Sequence, residues 1–364
     1  MNWVCKISFF AIVLLTMSVR VSAVDNPTNL LEKACQAFAK QKYKQALVYQ
    51  NAAIKLETNN PVAFWGRGCT YARLKEFDKA LGDFNKGIEL SAHSYLLSHA
   101  LWYRGNFYLQ ITNNEKALDD FTKAIHEHPA VQPPYTSRAE IYFAKSKYDS
   151  AIVDCNMAIW LNPDDGEAYF AKGRSYLELN DYNKAIEALG NALRCETNNS
   201  DIFYKRAAAF SGKEDYTNAI KDLDQTIRLS PKAPFAFSAR GLLRSRIGEY
   251  RSGISDCWRA VRLDANCNNA CNNLAWLLST APEPKLRDGK QAFKYATRAC
   301  ELSEWKDAYN IGTLAAACAE IGRFDEAINW EKKCIELGLP TEKEKLQAQK
   351  ELELFEQGKP YHAD

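Results

Sequence analysis

Between Leu101 and Pro129 the small and apolar residues recur at helical spacing in two runs, Gly105 and Tyr108 in the first, Ala117, Phe121 and Ala124 in the second. Residues three and four apart share one face of a helix, so each run marks one buried stripe. Thr112, Asn113 and Asn114 break the pattern with polar turn formers, and Pro129 ends the second run. The stretch therefore reads as a hairpin of two helices. Gly and Ala allow the helices to approach closely, while Tyr108 and Phe121 fill the space around the contact.

The same spine returns at an interval of 34, with units beginning near Pro27, Pro61, Ser98, Gln132, Gly166, Ser200, Pro234, Asn268 and Ala308. The first unit keeps Ala34, Ala37, Ala46 and Ala53 but places Lys and Gln at usual apolar slots, as a solvent-facing N-terminal cap requires. Tyr95 to Leu97 form an insertion between the second and third units. Ala281 to Gly289, with Pro282 and Pro284, reads as an irregular loop inside the eighth. Beyond the ninth, an amphipathic helix from about Glu342 to Gln357 carries Leu346, Leu352 and Phe355 on one stripe. Gly358 and Pro360 stop it, and it is placed to cover the last unit's open face.

A helical hairpin with this spine and period resembles the tetratricopeptide repeat (TPR). The resemblance implies an all-α fold: a right-handed superhelical solenoid of about nine helix-turn-helix repeats over residues 24–341. Its units lie near 27–60, 61–94, 98–131, 132–165, 166–199, 200–233, 234–267, 268–306 and 308–341, with a C-terminal capping helix and tail over 342–364. The region from Asn268, together with the ending Gly358-Lys359-Pro360-Tyr361, resembles the C-terminal module of exported bacterial members. In the family, first helices line a concave groove. By that resemblance the groove receives Trp65, Cys69 and Ala72; Trp102, Asn106 and Leu109; Thr136, Glu140 and Phe143; Phe170, Arg174 and Leu177; Tyr204, Ala208 and Ser211. Trp65, Trp102, Phe170 and Tyr204 are then expected as exposed apolar anchors for an extended peptide or helix, with Asn106, Glu140 and Arg174 fixing its register. Some members clamp a terminal carboxylate with Lys and Asn. The corresponding places here hold Trp65, Cys69, Trp102 and Asn106, which do not make that clamp.

A charge pattern overlies the spine. Arg67, Arg104, Arg138, Lys172, Arg206 and Arg240 recur in first helices, and Asp83, Asp120, Asp154, Asp222 and Asp256 in second helices, with Ala188 breaking the series. Because it repeats with the scaffold, this reads as a structural ladder of ion pairs.

The first 23 residues follow different rules. Lys6 precedes an apolar run from Ile7 to about Val19, then Val21-Ser22-Ala23, the form of a secretory signal cleaved after Ala23; the run is short for a membrane span. Its loss removes Lys6 and Arg20 and takes the formal charge from +2 to about zero, which gives no general attraction to nucleic acid or anionic lipid. Export would permit disulfides. Cys155, Cys257, Cys318 and Cys334 nevertheless occupy core slots, leaving Cys267 and Cys271 as a candidate pair that could equally stay reduced.

No phosphate loop, nucleophile elbow or metalloprotease helix motif is present. His126-Glu127-His128 reads as a helix end, since adjacent helical residues point apart and no third ligand accompanies them. The expected protein is an exported, non-enzymatic scaffold, secreted or periplasmic, that needs no cofactor or metal. It would bind a protein or peptide partner to assemble an envelope or secreted complex. Holding an exported client transiently, serving as the non-catalytic subunit of an enzyme complex, and glycan binding are the alternatives.

Overall fold

The computed structural model describes residues 26–92 and 95–363. Among them are nineteen α-helices and no strand. In chain order they are α1 (Pro27–Ala39), α2 (Tyr43–Leu56), α3 (Pro61–Arg73), α4 (Phe77–Ser91), α5 (Leu96–Gln110), α6 (Asn114–Glu127), α7 (Pro133–Ala144), α8 (Tyr148–Leu161), α9 (Gly166–Glu178), α10 (Tyr182–Cys195), α11 (Ser200–Gly212), α12 (Tyr216–Leu229), α13 (Pro234–Arg246), α14 (Tyr250–Leu263), α15 (Asn268–Thr280), α16 (Gly289–Leu302), α17 (Ala308–Glu320), α18 (Phe324–Leu337) and α19 (Glu342–Glu356). The chain is an all-α repeat protein. The expected signal segment, residues 1–23, lies outside the described residues.

Helix starts follow from local chemistry. Pro occupies the first turn of α1, α3, α7 and α13, where its missing N–H costs nothing. Asn26 and Asn60 cap α1 and α3, their side-chain oxygens accepting from the amides of Asn29 and Val62. Inside most hairpins the second residue after the first helix turns left-handed: Gln41, Lys75, Thr112, Ser146, Asn180, Glu214, Gly248 and Gly322 all have positive φ. The following amide then closes the turn, as when Asn113 N–H bonds Tyr108 O at 2.8 Å.

Two compact units are present, one ending at Ser175 and the other starting at Tyr176, so that the division falls within α9. In the first, aromatic residues fill the space left by small ones. Gly105 lies against the Phe121 ring, and Phe84 packs on Phe107 with ring centres 5.4 Å apart. Both Phe84 and Phe121 are fully buried. In the second unit the largest core joins Cys257, Leu274, Leu277, Ile311, Leu314, Cys318 and Phe355. Burial pushes the Cys318 and Cys334 thiols up to about 12, and these cysteines act as small apolar side chains. Cys267 and Cys271 are both free.

The inserted stretches gain detail and one expectation needs correction. Of the residues inserted before the third hairpin, Leu96 and Leu97 belong to α5. The stretch from Ala281 to Gly289 is a loop between α15 and α16. It contains a short 3-10 turn at Pro284–Leu286, and Arg287 pins it by donating to the carbonyls of Ala281 and Pro282 and pairing with Glu320 at 2.9 Å. In α19 the buried stripe is Ala348, Glu351 and Phe355, whereas Leu346 is 53% exposed. The capping box of Thr341 with Glu344 fixes where the helix begins. After α19 the tail returns to α15, with Tyr361 beside Trp276 and Ala363 N–H on Thr280 O at 2.8 Å.

Candidate functional site

Asn106, Glu140 and Arg174 stand at one slot of successive first helices, α5, α7 and α9, spaced 34 residues apart and all half-buried. Arg174 is the best defined of them. Its guanidinium carbon lies 4.1 Å from the Phe143 ring centre and 5.4 Å from that of Phe170, and its two terminal nitrogens face the Glu140 carboxylate at 3.3 and 3.4 Å. Stacking between two rings orients the planar cation without consuming its hydrogen-bonding edges. The Glu140 side chain stays 43% exposed, so this pair is a long contact at a wet surface. Asn106 donates to the carbonyl of Trp102 at 2.9 Å, which orients its amide.

The structure does not present the two tryptophans as exposed anchors. Trp65 is 1% exposed and Trp102 is 3% exposed. The physical reason is Tyr103: its ring lies 5.3 Å from Trp65 and 4.9 Å from Trp102, so one side chain on α5 closes over both. Trp102 also donates its indole N–H to Ser137 Oγ at 2.8 Å. Thr136 is likewise committed internally, bonding Gln132 and Asp165, with Asp165 in turn capping α9 through Ala168 N–H. Of the other expected residues, Phe170 flanks Arg174 in the first unit, and half-buried Tyr204 meets Phe235 edge-on at 4.8 Å in the second. Burial pushes the Tyr204 phenol up from its ordinary value.

The ladder is a separate feature with a structural role. Arg67–Asp83, Arg104–Asp120, Arg138–Asp154, Arg206–Asp222 and Arg240–Asp256 are all two-pronged, with contacts between 2.6 and 2.8 Å. Their carboxylates are buried. Hydrogen bonding to Asp120 raises the Arg104 guanidinium above its ordinary value.

One surface residue escaped the pattern reading. Trp160 on α8 is 74% exposed, at the slot that holds Lys55, Glu89, His126, Arg194, Arg228 and Arg262 in other hairpins. Val153, about two turns earlier on α8, is 60% exposed. The signal was available as an apolar residue at a register position otherwise charged. Elsewhere, His126 and Glu127 are exposed neighbours 3.5 Å apart, and among the described residues no His, Cys, Asp and Glu side chains cluster as a metal site. No described helix is long and apolar enough to cross a membrane.

Residues 136–202 and 170–234 each match the family model described as Tetratricopeptide repeat. No curated protein matches the chain. Among solved structures, a tetratricopeptide repeat protein from Parabacteroides merdae is 14% identical over 81% of this chain and 98% of its own, with a TM-score of 0.49. The hetero-tetramer Cut9-Hcn1 provides a chain 12% identical over 96% of this one and 92% of its own, with a TM-score of 0.48. YrrB, a tetratricopeptide repeat protein with an unusual peptide-binding site, is 21% identical over 50% of this chain and 92% of its own, with a TM-score of 0.43.

Proposed function

We propose that this helical repeat chain, which carries tetratricopeptide repeats across residues 136–234, is a protein-binding scaffold without catalytic activity of its own. Its partner is an extended peptide or helix docked along the first-helix slots of α5, α7 and α9. The observation that carries this reading is Arg174, held between Phe143 and Phe170 with only a long contact to Glu140. A pre-oriented cation beside a half-exposed carboxylate and apolar ring edges can bond a polar side chain or carbonyl of a docked segment at little ordering cost. Asn106, Glu140 and Arg174 fix register. Phe143 and Phe170 supply apolar contact. Trp65 and Trp102 support this face from beneath.

The signal-like character of residues 1–23 supports action after export, in assembly of an envelope or secreted complex. Crosslinking capture from an extracytoplasmic fraction, with the chain from Val24 as bait beside its Arg174→Glu variant, tests the site. A partner held by the parent and lost from a variant that melts like it supports the slot reading. Equal retention removes Arg174 and its neighbours from the site. A second reading rests on Trp160 and Val153, both exposed on α8, with Trp160 standing where other hairpins carry charged or imidazole side chains. A partner lost from Trp160→Arg but kept by Arg174→Glu would place docking there.

A further inference from the structure

The last hairpin departs from the apolar core rule that the second to eighth hairpins keep, as the first does with Gln50, but with an ionisable side chain. At one slot of the second helix, the second to eighth hairpins place Phe84, Phe121, Cys155, Leu189, Leu223, Cys257 and Ala296, all buried. The ninth places Glu331 there, and it is equally buried at 1% exposure. Its Oε2 has no hydrogen-bond partner. α19 contributes Glu351, 4% exposed, whose Oε1 accepts from Gln347 Nε2 at 2.8 Å. Gly312 on α17 lies beside this site, where an added methyl would press on Cys334 Sγ at 3.2 Å and reach ordinary contact with Glu331 Oε2 at 3.9 Å.

The groups around the pair offer no cation. Cys334 faces it from α18 and Gln347 from α19; at the start of α17 stand Asp307 and Tyr309, whose hydroxyl is occupied by Glu344 at 2.7 Å. Lys332 turns to Glu356, Lys333 to Glu336 and Lys345 to Glu342, all at the surface. Among the described residues, neither Glu331 nor Glu351 pairs with Lys or Arg.

We propose that Glu331 and Glu351 form a proton-held latch: α19 stays docked on α17 and α18 while the pair carries protons, and lifts away when both carboxyls ionise. Two buried carboxylates without a counter-charge cannot both be charged at low cost. Burial raises Glu331 from the ordinary carboxyl value to about 9, with the Glu351 charge adding to it, and burial raises Glu351 to about 7. The folded state therefore binds more protons than the unfolded one. Docking is strongest below the ordinary carboxyl range near 4.5 and is lost as pH rises through about 7 and then about 9. Undocking would uncover the apolar surface that Phe355, fully buried on α19, now covers.

Amide hydrogen exchange on the full chain at pH 6 and pH 9, corrected for intrinsic rates, tests this. Protection across α19 is expected to fall about tenfold or more between the two, while α12 changes much less. Glu331→Gln and, separately, Glu351→Gln should shrink that fall, and Glu331→Leu serves if the amide variant packs poorly. A wild-type loss in α19 no larger than in α12 would overturn the latch. So would variants that lose α19 protection as steeply as the parent.

Discussion

Arg104 grips Asp120 from two sides, Nε to Oδ2 at 2.8 Å and Nη2 to Oδ1 at 2.6 Å, and spends its remaining nitrogen on Asn85 Oδ1 at 2.7 Å. Asp120 is on the second helix of the same hairpin and Asn85 on that of the hairpin before, so one side chain ties three helices together. Arg67 does the same with Asp83 and Asn51, and Arg240 with Asp256 and Asp224. The repeating arginine is thus a joint between consecutive hairpins as well as within one.

Removing it leaves a buried carboxylate without its partner. Arg104→Ala is expected to cost about 3 kcal/mol in urea denaturation, because Asp120 is 1% exposed. Arg174→Ala should cost less than about 1 kcal/mol, since Glu140 remains hydrated. Equal losses would mean that burial does not separate the ladder from the candidate site.

Thr112 is a β-branched residue at φ 60°, in a turn where two other hairpins use glycine, Gly248 and Gly322. Left-handed backbone presses Cβ against the following carbonyl, at a cost of about 1–2 kcal/mol that glycine escapes. Thr112→Gly should therefore raise stability by roughly 0.5–1 kcal/mol after the greater entropy of its unfolded chain is counted. A lower urea midpoint would show that Thr112 contributes more through its own contacts than the backbone loses.

Thiol chemistry separates packing cysteines from accessible ones. Cys35, Cys155, Cys257, Cys271, Cys300, Cys318 and Cys334 are buried, and burial drives their thiols upward, Cys35 and Cys300 to about 12 and Cys271 to about 11. The thiolate is the reactive form, so these should resist an aromatic disulfide reagent at pH 8 until the protein unfolds. Among the described residues, Cys69, Cys195 and Cys267 are the ones placed to react in the folded chain. Mass mapping of early adducts on Cys257 or Cys318 would contradict the packing described for the second unit.

The sequence was most readable where one spacing recurs and least readable where two elements meet. Gly105 and Phe121 announce a close helix pair, and the Arg104 to Asp120 offset of 16 recurs from Arg67 to Arg240 because each hairpin repeats the same geometry. Burial of Trp65 was not readable, because it depends on Tyr103 from the next hairpin, which the spine does not include. Glu331 shows the opposite failure. Its slot was legible, yet a carboxylate in a periodic stripe reads as surface until α19 is seen to cover it.

Trp160 offers the sharpest contrast between two tryptophans of one unit. Trp65, 1% exposed, fills space between first helices, and truncating it to Ala should cost about 3–5 kcal/mol. That cost makes Trp65→Ala a poor probe of binding, since a lost partner would not be distinguished from a loosened fold. Trp160 is 74% exposed at a slot where Arg194, Arg228 and Arg262 are tolerated by other hairpins. Trp160→Arg should therefore stay within about 0.5 kcal/mol of the parent in urea denaturation. Acrylamide quenching of the parent should reach Trp160 while leaving Trp65 and Trp102 shielded, and the difference spectrum against Trp160→Arg isolates its emission. If that variant instead loses stability on the scale of Trp65→Ala, the outer face of α8 is already covered in solution, and its apolar character serves packing rather than a partner.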